Sequence, residues 1–158
     1  MIRAREAGPA DAPELMRLRK VMIDSMDGEP SPGGEWQEAG CAILRRQLTD
    51  PAGVLAAFVV DRPDGPGLAA CVVGAVDQRL PAPSNLTGLR GYVYSVATDP
   101  AYRRRGFSRA CMAALIDWYA HRGITAVDLR ASRDAEPLYT SLGFRRTSDP
   151  SMRLVLRP

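Results

Sequence analysis

The stretch Val96-Ala97-Thr98-Asp99-Pro100-Ala101-Tyr102-Arg103-Arg104-Arg105-Gly106-Phe107-Ser108-Arg109 reads as a strand end, a turn at Asp99-Pro100 and the start of an amphipathic helix. A helix start leaves several backbone N–H groups without partners, and the aligned peptide dipoles make that end partly positive. Phosphate oxygens bind such ends readily. Gly106 lets a ligand approach the backbone closely, Ser108 is too small to obstruct it, and Arg103, Arg104 and Arg105 add formal positive charge. The physical reading is a phosphate cradle. The same residues would also serve as a solvated basic turn or as a contact to nucleic acid. Against nucleic acid stand the flanks, Asp99-Pro100 on one side and an apolar helix seam on the other. Neither Gly-x-Gly-x-x-Gly nor a P-loop is present, which counts against dinucleotide and nucleoside-triphosphate binding.

On the C-terminal side, Phe107, Cys111, Leu115 and Trp118 recur at helical spacing. They predict a helix over Arg105–Arg122, ended by Gly123. Ala126–Leu129 then reads as a short buried strand. Asp134–Ser141 reads as a short helix capped by Ser132 or Asp134, and Phe144–Arg146 and Met152–Leu156 as closing strands. On the N-terminal side, Leu89–Thr98 has the aromatic and β-branched content of a strand. The apolar runs Val54–Val60 and Leu68–Val76 flank a Pro- and Gly-rich turn, as a hairpin does. Ahead of them lies a short strand within Met1–Glu6, then a helix entered at Asp11, with Pro13 in its first turn and Glu14 at capping-box spacing. Leu15, Leu18, Met22 and Met26 form its stripe. Asp27–Gly34, with three glycines and two prolines, is a loop. A second helix over Glu35–Leu48 turns Trp36, Ile43 and Leu44 inward. The order β-α-α-β-β-β-α-β-α-β-β is α/β with a mixed sheet. No linker divides it, so residues 1–158 are expected to form one domain.

Arg-x-x-Gly-x-small at a strand-to-helix turn is followed by Ser132 and by Leu138-Tyr139-Thr140-Ser141-Leu142-Gly143-Phe144. Together these strongly resemble the GNAT superfamily of acyl-CoA-dependent N-acyltransferases. The resemblance is close over residues 89–146, and the earlier elements are compatible with it. It implies a mostly antiparallel central sheet flanked by helices, and N-acetyl transfer from acetyl-CoA to a primary amine, with no metal. By the same resemblance, Arg103, Arg104, Arg105, Gly106, Phe107, Ser108 and Arg109 surround the CoA diphosphate, and Ser132 joins the cofactor-binding set. Val96, Ala97 and Thr98 match the strand edge that pairs with the pantetheine arm, and Tyr139 matches the general acid that protonates the departing thiolate. Direct attack in a ternary complex is implied, with no covalent acyl-enzyme. Ser108 stands where the family more often has Gly or Ala. Gly91-Tyr92-Val93-Tyr94-Ser95 lacks the carboxylate that some members use as general base, which leaves a water chain for that step. A non-catalytic acyl-CoA sensor or interaction module is the alternative, and homodimers are common in the resembled family.

Composition agrees with a globular chain: 158 residues, 46% hydrophobic and 25% charged, with a net charge of +3. A chain of this length buries roughly 70% of the surface it exposes when unfolded. No run approaches a membrane span, and Met1–Glu6 lacks a signal peptide's apolar segment, so a cytoplasmic chain is expected. Cys41, Cys71 and Cys111 are far apart and His121 is the only histidine, so no zinc site is expected. A Cys-His nucleophile pair is less natural than buried free thiols. The charge is unevenly spread: residues 1–79 sum to −3 and residues 80–158 to +6. Asp24, Asp27, Glu29, Glu35 and Glu38 fall in one stretch without a base. This predicts an acidic lip, with Asp27 and Glu35 drawing in a cationic amine such as a polyamine, an aminoglycoside or a basic peptide end. Solvated helix ends are the plainer alternative. Trp36, Tyr92 and Tyr94 are candidates for the acceptor pocket, with core packing as the alternative.

Overall fold

A computed structural model describes residues 1–158. Its strands are β1 (Arg5–Glu6), β2 (Leu55–Asp61), β3 (Leu68–Gln78), β4 (Leu89–Thr98) and β5 (Val127–Leu129). The helices are α1 (Ala12–Asp27), α2 (Glu35–Thr49), α3 (Phe107–His121) and α4 (Glu136–Ser141). The sheet runs β1-β2-β3-β4-β5, antiparallel except for the parallel β4–β5 pair. Helices cover both faces of it. This explains why β2 and β3 are nearly continuous apolar runs rather than alternating ones. Ala57, Val59, Cys71 and Ala97 meet Leu15, Leu18 and Leu44 of α1 and α2 in one core. Phe58, Val60, Val72 and Val93 meet α3 and Tyr139 of α4 in the other. Each fully buried Leu in these cores contributes roughly 1.5–3 kcal/mol of apolar transfer.

The sheet is irregular in the middle of β4. Val73 pairs with Ser95 but Gly74 pairs with Val93, so Tyr94 is an extra residue in β4. The bulge changes which face successive side chains take, putting Val93 in the α3 core while Ala97 stays in the α1 core. Tyr119 of α3 lies against this kink, 1% exposed. Its hydroxyl donates to the Ala75 carbonyl at 2.9 Å, with the Tyr92 carbonyl at 3.2 Å. The ring fits because its neighbours on the sheet are glycines. A Cβ on Gly91 would come within 2.8 Å of it, and one on Gly74 would strike its hydroxyl.

Three expectations are corrected and one is sharpened. Phe144–Arg146 and Met152–Leu156 form no strands, and Met152, Leu154, Val155 and Leu156 are exposed; strand propensity without a paired neighbour makes no ladder. The capping box at Asp11 and Glu14 does not form. The Asp11 carboxylate accepts instead from the Gly8 N–H and the Arg5 guanidinium, while Glu14 accepts from the Leu68 N–H and Arg17. In α3 the fully buried aromatic is Tyr119, while Trp118 packs against the core only partly buried, its ring carrying the Arg122 guanidinium 4.0 Å from its centroid. Ile43 is 45% exposed, so α2 buries Leu44 without it.

Candidate active site

Pairing between β4 and β5 stops at Val93 and Leu129, while β4 continues to Thr98. Beyond that point one edge of β4 bonds to β3 and the other is open. A cleft of about 710 Å³ fills the gap. Val96, Ala97 and Thr98 line it from β4, and Leu129, Arg130, Ala131 and Ser132 from the chain leaving β5. Arg19, Met22, Ile23 and Met26 of α1 close one side, and Tyr139 of α4 lines it from the other core. An unpaired strand edge inside a cleft presents backbone N–H and C=O groups to any extended ligand that carries amides.

At one end of the cleft the chain turns from β4 into α3. Arg103 lines the cleft, and Arg104, Arg105, Gly106, Phe107 and Ser108 continue around the helix start outside the lining. Gly106 is the left-handed N-cap, φ +79°, and no side chain caps the N–H groups that follow. Arg104 is the one non-glycine residue with positive φ, at 60°. Such strain persists only where surroundings impose it. Left-handed residues in a tight turn favour converging N–H groups, which make an anion-binding concavity. Phe107 is buried, so only its backbone faces outward. Arg105 lies over the Tyr102 ring, 5.4 Å from its centroid. Arg109 is turned away, its guanidinium donating to Ser141 Oγ of α4 at 2.5 Å.

The turn is held by a buried charge network that sequence reading missed. Asp99 accepts from the Ala101 N–H at 3.0 Å, from Arg17 of α1 at 2.8 Å and from Arg62 at 2.9 Å. Burial alone would raise the Asp99 carboxyl, but the Ala101 N–H and the two guanidinium groups outweigh it and hold it below the usual carboxylate range. Arg17 also bonds Glu14 and the Leu68 carbonyl, so α1, the β2–β3 hairpin and the end of β4 share one set of ties. The Tyr102 hydroxyl bonds Asp64, and Thr98 bonds Ser108 across the turn. No single stretch of sequence contains this network. Its partners are up to 82 residues apart.

Tyr139 is 7% exposed and lines the cleft, and its hydroxyl makes no hydrogen bond within the protein. Burial raises its pKa, so the phenol stays protonated at neutral pH. Ser132 Oγ accepts from the Ala135 N–H at 3.3 Å, which turns the chain into α4. Tyr92 and Tyr94 line the cleft, their rings 5.2 Å apart, and Tyr94 is 54% exposed on the bulge. Trp36, Asp27 and Glu35 are not brought to it. Trp36 Nε1 donates to the Pro32 carbonyl, and Asp24, beside them in sequence, is engaged by Lys20 and Ser31. No Asp, Glu or His lines the cleft. Cys71 and Cys111 are buried and their thiols pushed up by desolvation, Cys71 to about 12. His121 is exposed, with Nδ1 on the Asp117 carbonyl. No thiol is paired with it.

A five-stranded mixed sheet with helices on both faces, split beside an uncapped, arginine-rich helix start, defines the GNAT-like acyltransferase fold. Residues 20–144 match the model of the Acetyltransferase (GNAT) family, and the chain belongs to that family. It is 34% identical over 143 residues to a mycothiol acetyltransferase of Nocardia farcinica, covering 87% of this chain and 43% of that relative. It is also 39% identical over 59 residues to the [ribosomal protein bS18]-alanine N-acetyltransferase of Escherichia coli, covering 35% of this chain and 40% of the relative. The chain spans less than half the length of the mycothiol acetyltransferase, and the second match covers less than half of either protein. Among solved structures, a predicted acetyltransferase with acetyl-CoA from Clostridium acetobutylicum superposes with a TM-score of 0.81 at 22% identity, covering 98% of this chain and 96% of that one. A GCN5-related N-acetyltransferase from Ralstonia eutropha gives 0.79 at 25% identity, covering 98% and 99%. No helix is long and apolar enough to cross a membrane.

Proposed function

We propose that these residues act as one N-acetyltransferase domain that moves an acetyl group from acetyl-CoA to a primary amine by direct attack in a ternary complex. The observation that carries the reading is the open β4 edge, Val96–Thr98, running from beside Tyr139 to the uncapped start of α3. The diphosphate meets the N–H groups and arginines of the 103–108 turn, and the pantetheine amides pair with Val96–Thr98. The thioester then lies toward the β4–β5 split. The neutral amine nitrogen attacks the thioester carbonyl carbon, the carbon–sulfur bond breaks, and the departing thiolate takes the Tyr139 hydroxyl proton. The proton shed by the acylated nitrogen returns the tyrosinate to the phenol. Proximity in one cleft supplies much of the rate. A lysine-type amine, with a reference pKa of about 10.4, must first lose its own proton. The cleft lining offers no carboxylate or imidazole for this, so the proton leaves to water. Four arginines in the lining favour the neutral amine by disfavouring a further positive charge.

A thiol-release assay with acetyl-CoA over amines, amino acids and peptides tests the reading. CoA release that depends on an amine supports it. Acetyl-CoA binding without release from any acceptor would instead identify a sensor module.

A further inference from the structure

We infer that the acceptor is an amine that also carries an anionic group, carboxylate or phosphate, and that Arg19 is the residue that receives it. The inference rests on the transferase reading above, because the orientation of the bound donor locates the acceptor end of the cleft. Three cations stand close together on α1, and two are neutralised within the protein. Arg17 bonds Glu14 and Asp99, and Lys20 bonds Asp24. Arg19 has no carboxylate. Its one polar contact is Nη1 to the hydroxyl of Ser95 at 3.2 Å, and Ser95 is itself only 2% exposed. A guanidinium has five N–H donors in a fixed fork suited to bidentate pairing with carboxylate or phosphate. Here most of that capacity is unspent on a half-buried side chain lining the cleft.

Position along β4 separates this charge from those serving the donor. Ser95 precedes the Val96–Thr98 edge, at the end away from the 103–108 turn, so Arg19 flanks the thioester rather than the diphosphate. That end also carries the apolar and aromatic side chains Met22, Ile23, Met26, Tyr92 and Tyr94, with Arg153 of the C-terminal segment as a second cation. With no acid in the lining, a polyamine would bring several charges to a cleft that offers them no counterion. An amine tethered to an anion satisfies Arg19 and leaves its nitrogen near the thioester. Partly buried charge is costly unless paired, so the site is selective for the acceptor that supplies the pair.

The test has two parts. Calorimetry with acetyl-CoA comes first: wild-type protein that does not bind it defeats the transferase reading itself. With binding established, turnover is compared within matched pairs, namely amino acids and dipeptides against their C-terminal amides, and aminoalkyl phosphates against their methyl ethers. Preference for acids over amides assigns a carboxylate, and preference for phosphates over ethers assigns a phosphate. In Arg19→Gln, KM for the anionic acceptor rises about 10-fold or more, the loss expected for a charged hydrogen bond. The acetyl-CoA Kd stays unchanged, KM for the neutral partner moves far less than that for the anionic one, and Arg19→Lys recovers part of the loss. Equal or better use of the neutral amines, or no turnover of any anionic member despite bound acetyl-CoA, overturns the inference. So does an Arg19→Gln variant, folded by its Tm, with an unaltered KM.

Discussion

The two ends of the cleft are built differently. At the proposed donor end, ties from two distant elements, α1 and the β2–β3 hairpin, hold a short turn through Asp99 to Arg17 and Arg62 and Tyr102 to Asp64, and Thr98 bonds Ser108 across it. At the acceptor end, the last turns of α1, the bulge of β4 and Arg153 of the C-terminal segment contribute one side chain at a time. A ligand common to a whole family can be met by a preorganised, locally encoded loop. A variable acceptor is met by side chains from separate elements, each replaceable without disturbing the others.

Four measurements would break or sharpen that contrast. The largest effect is expected from Gly106→Val. A β-branched residue at φ +79° is strained and crowds the amide cradle, although its Cβ would meet only Ile2. Acetyl-CoA affinity should fall on the order of 100-fold, about 2.7 kcal/mol. Unchanged calorimetry would remove the turn from donor binding.

Next, Tyr139→Phe should lower kcat by ~10²-fold with little change in either KM. Because burial raises the Tyr139 pKa, the active phenol persists as pH rises, and the alkaline limb of kcat should lie above the ordinary tyrosine range. That limb should vanish in the variant. A fully active Phe enzyme would exclude the residue from proton transfer.

Asp99→Asn should raise KM for acetyl-CoA about 10-fold and destabilise the fold by about 2 kcal/mol, while leaving the acceptor KM alone. The sign with pH follows from its depressed pKa. The carboxylate's contribution is complete above the ordinary aspartate value and is lost as pH falls through the native one. Melting temperatures of wild type and variant should therefore converge in acid. A gap that persists there would mean the charge is not what holds the turn.

The smallest effect should come from reversing Asp27 and Glu35 to Lys together. Neither residue lines the cleft, and exposed charges are screened, so each KM should move less than about 2-fold. A larger rise in the amine KM would restore the acidic lip.

Legibility followed the same division. Leu89–Thr98 was readable to the residue, and α3 to within two residues at its start, because both rest on local periodicity and a glycine. The glycine and arginines at the start of α3 were likewise readable, because they fall together over a few positions. Arg19 was not. In sequence it is one of three cations on a helix, and only the partners of Arg17 and Lys20 single it out. The acids of Asp24–Glu38 looked functional because they are neighbours in the chain, yet Asp24 is taken by Lys20 and Ser31 and the others do not reach the cleft.

What the sequence alone determined was the order of elements, the two-sided burial of the central strands, and an arginine-rich turn into an uncapped helix start. These depend on residue spacing over one or two turns of chain. The tertiary structure decided which charges are left unpaired. An ion pair such as Arg17–Asp99 joins residues 82 positions apart, and no local pattern specifies that pairing. The net charge is +3, but the cleft lining holds four arginines and no acid. Folding neutralised the other charges elsewhere or left them in solvent, and that selection sets the charge of the cleft.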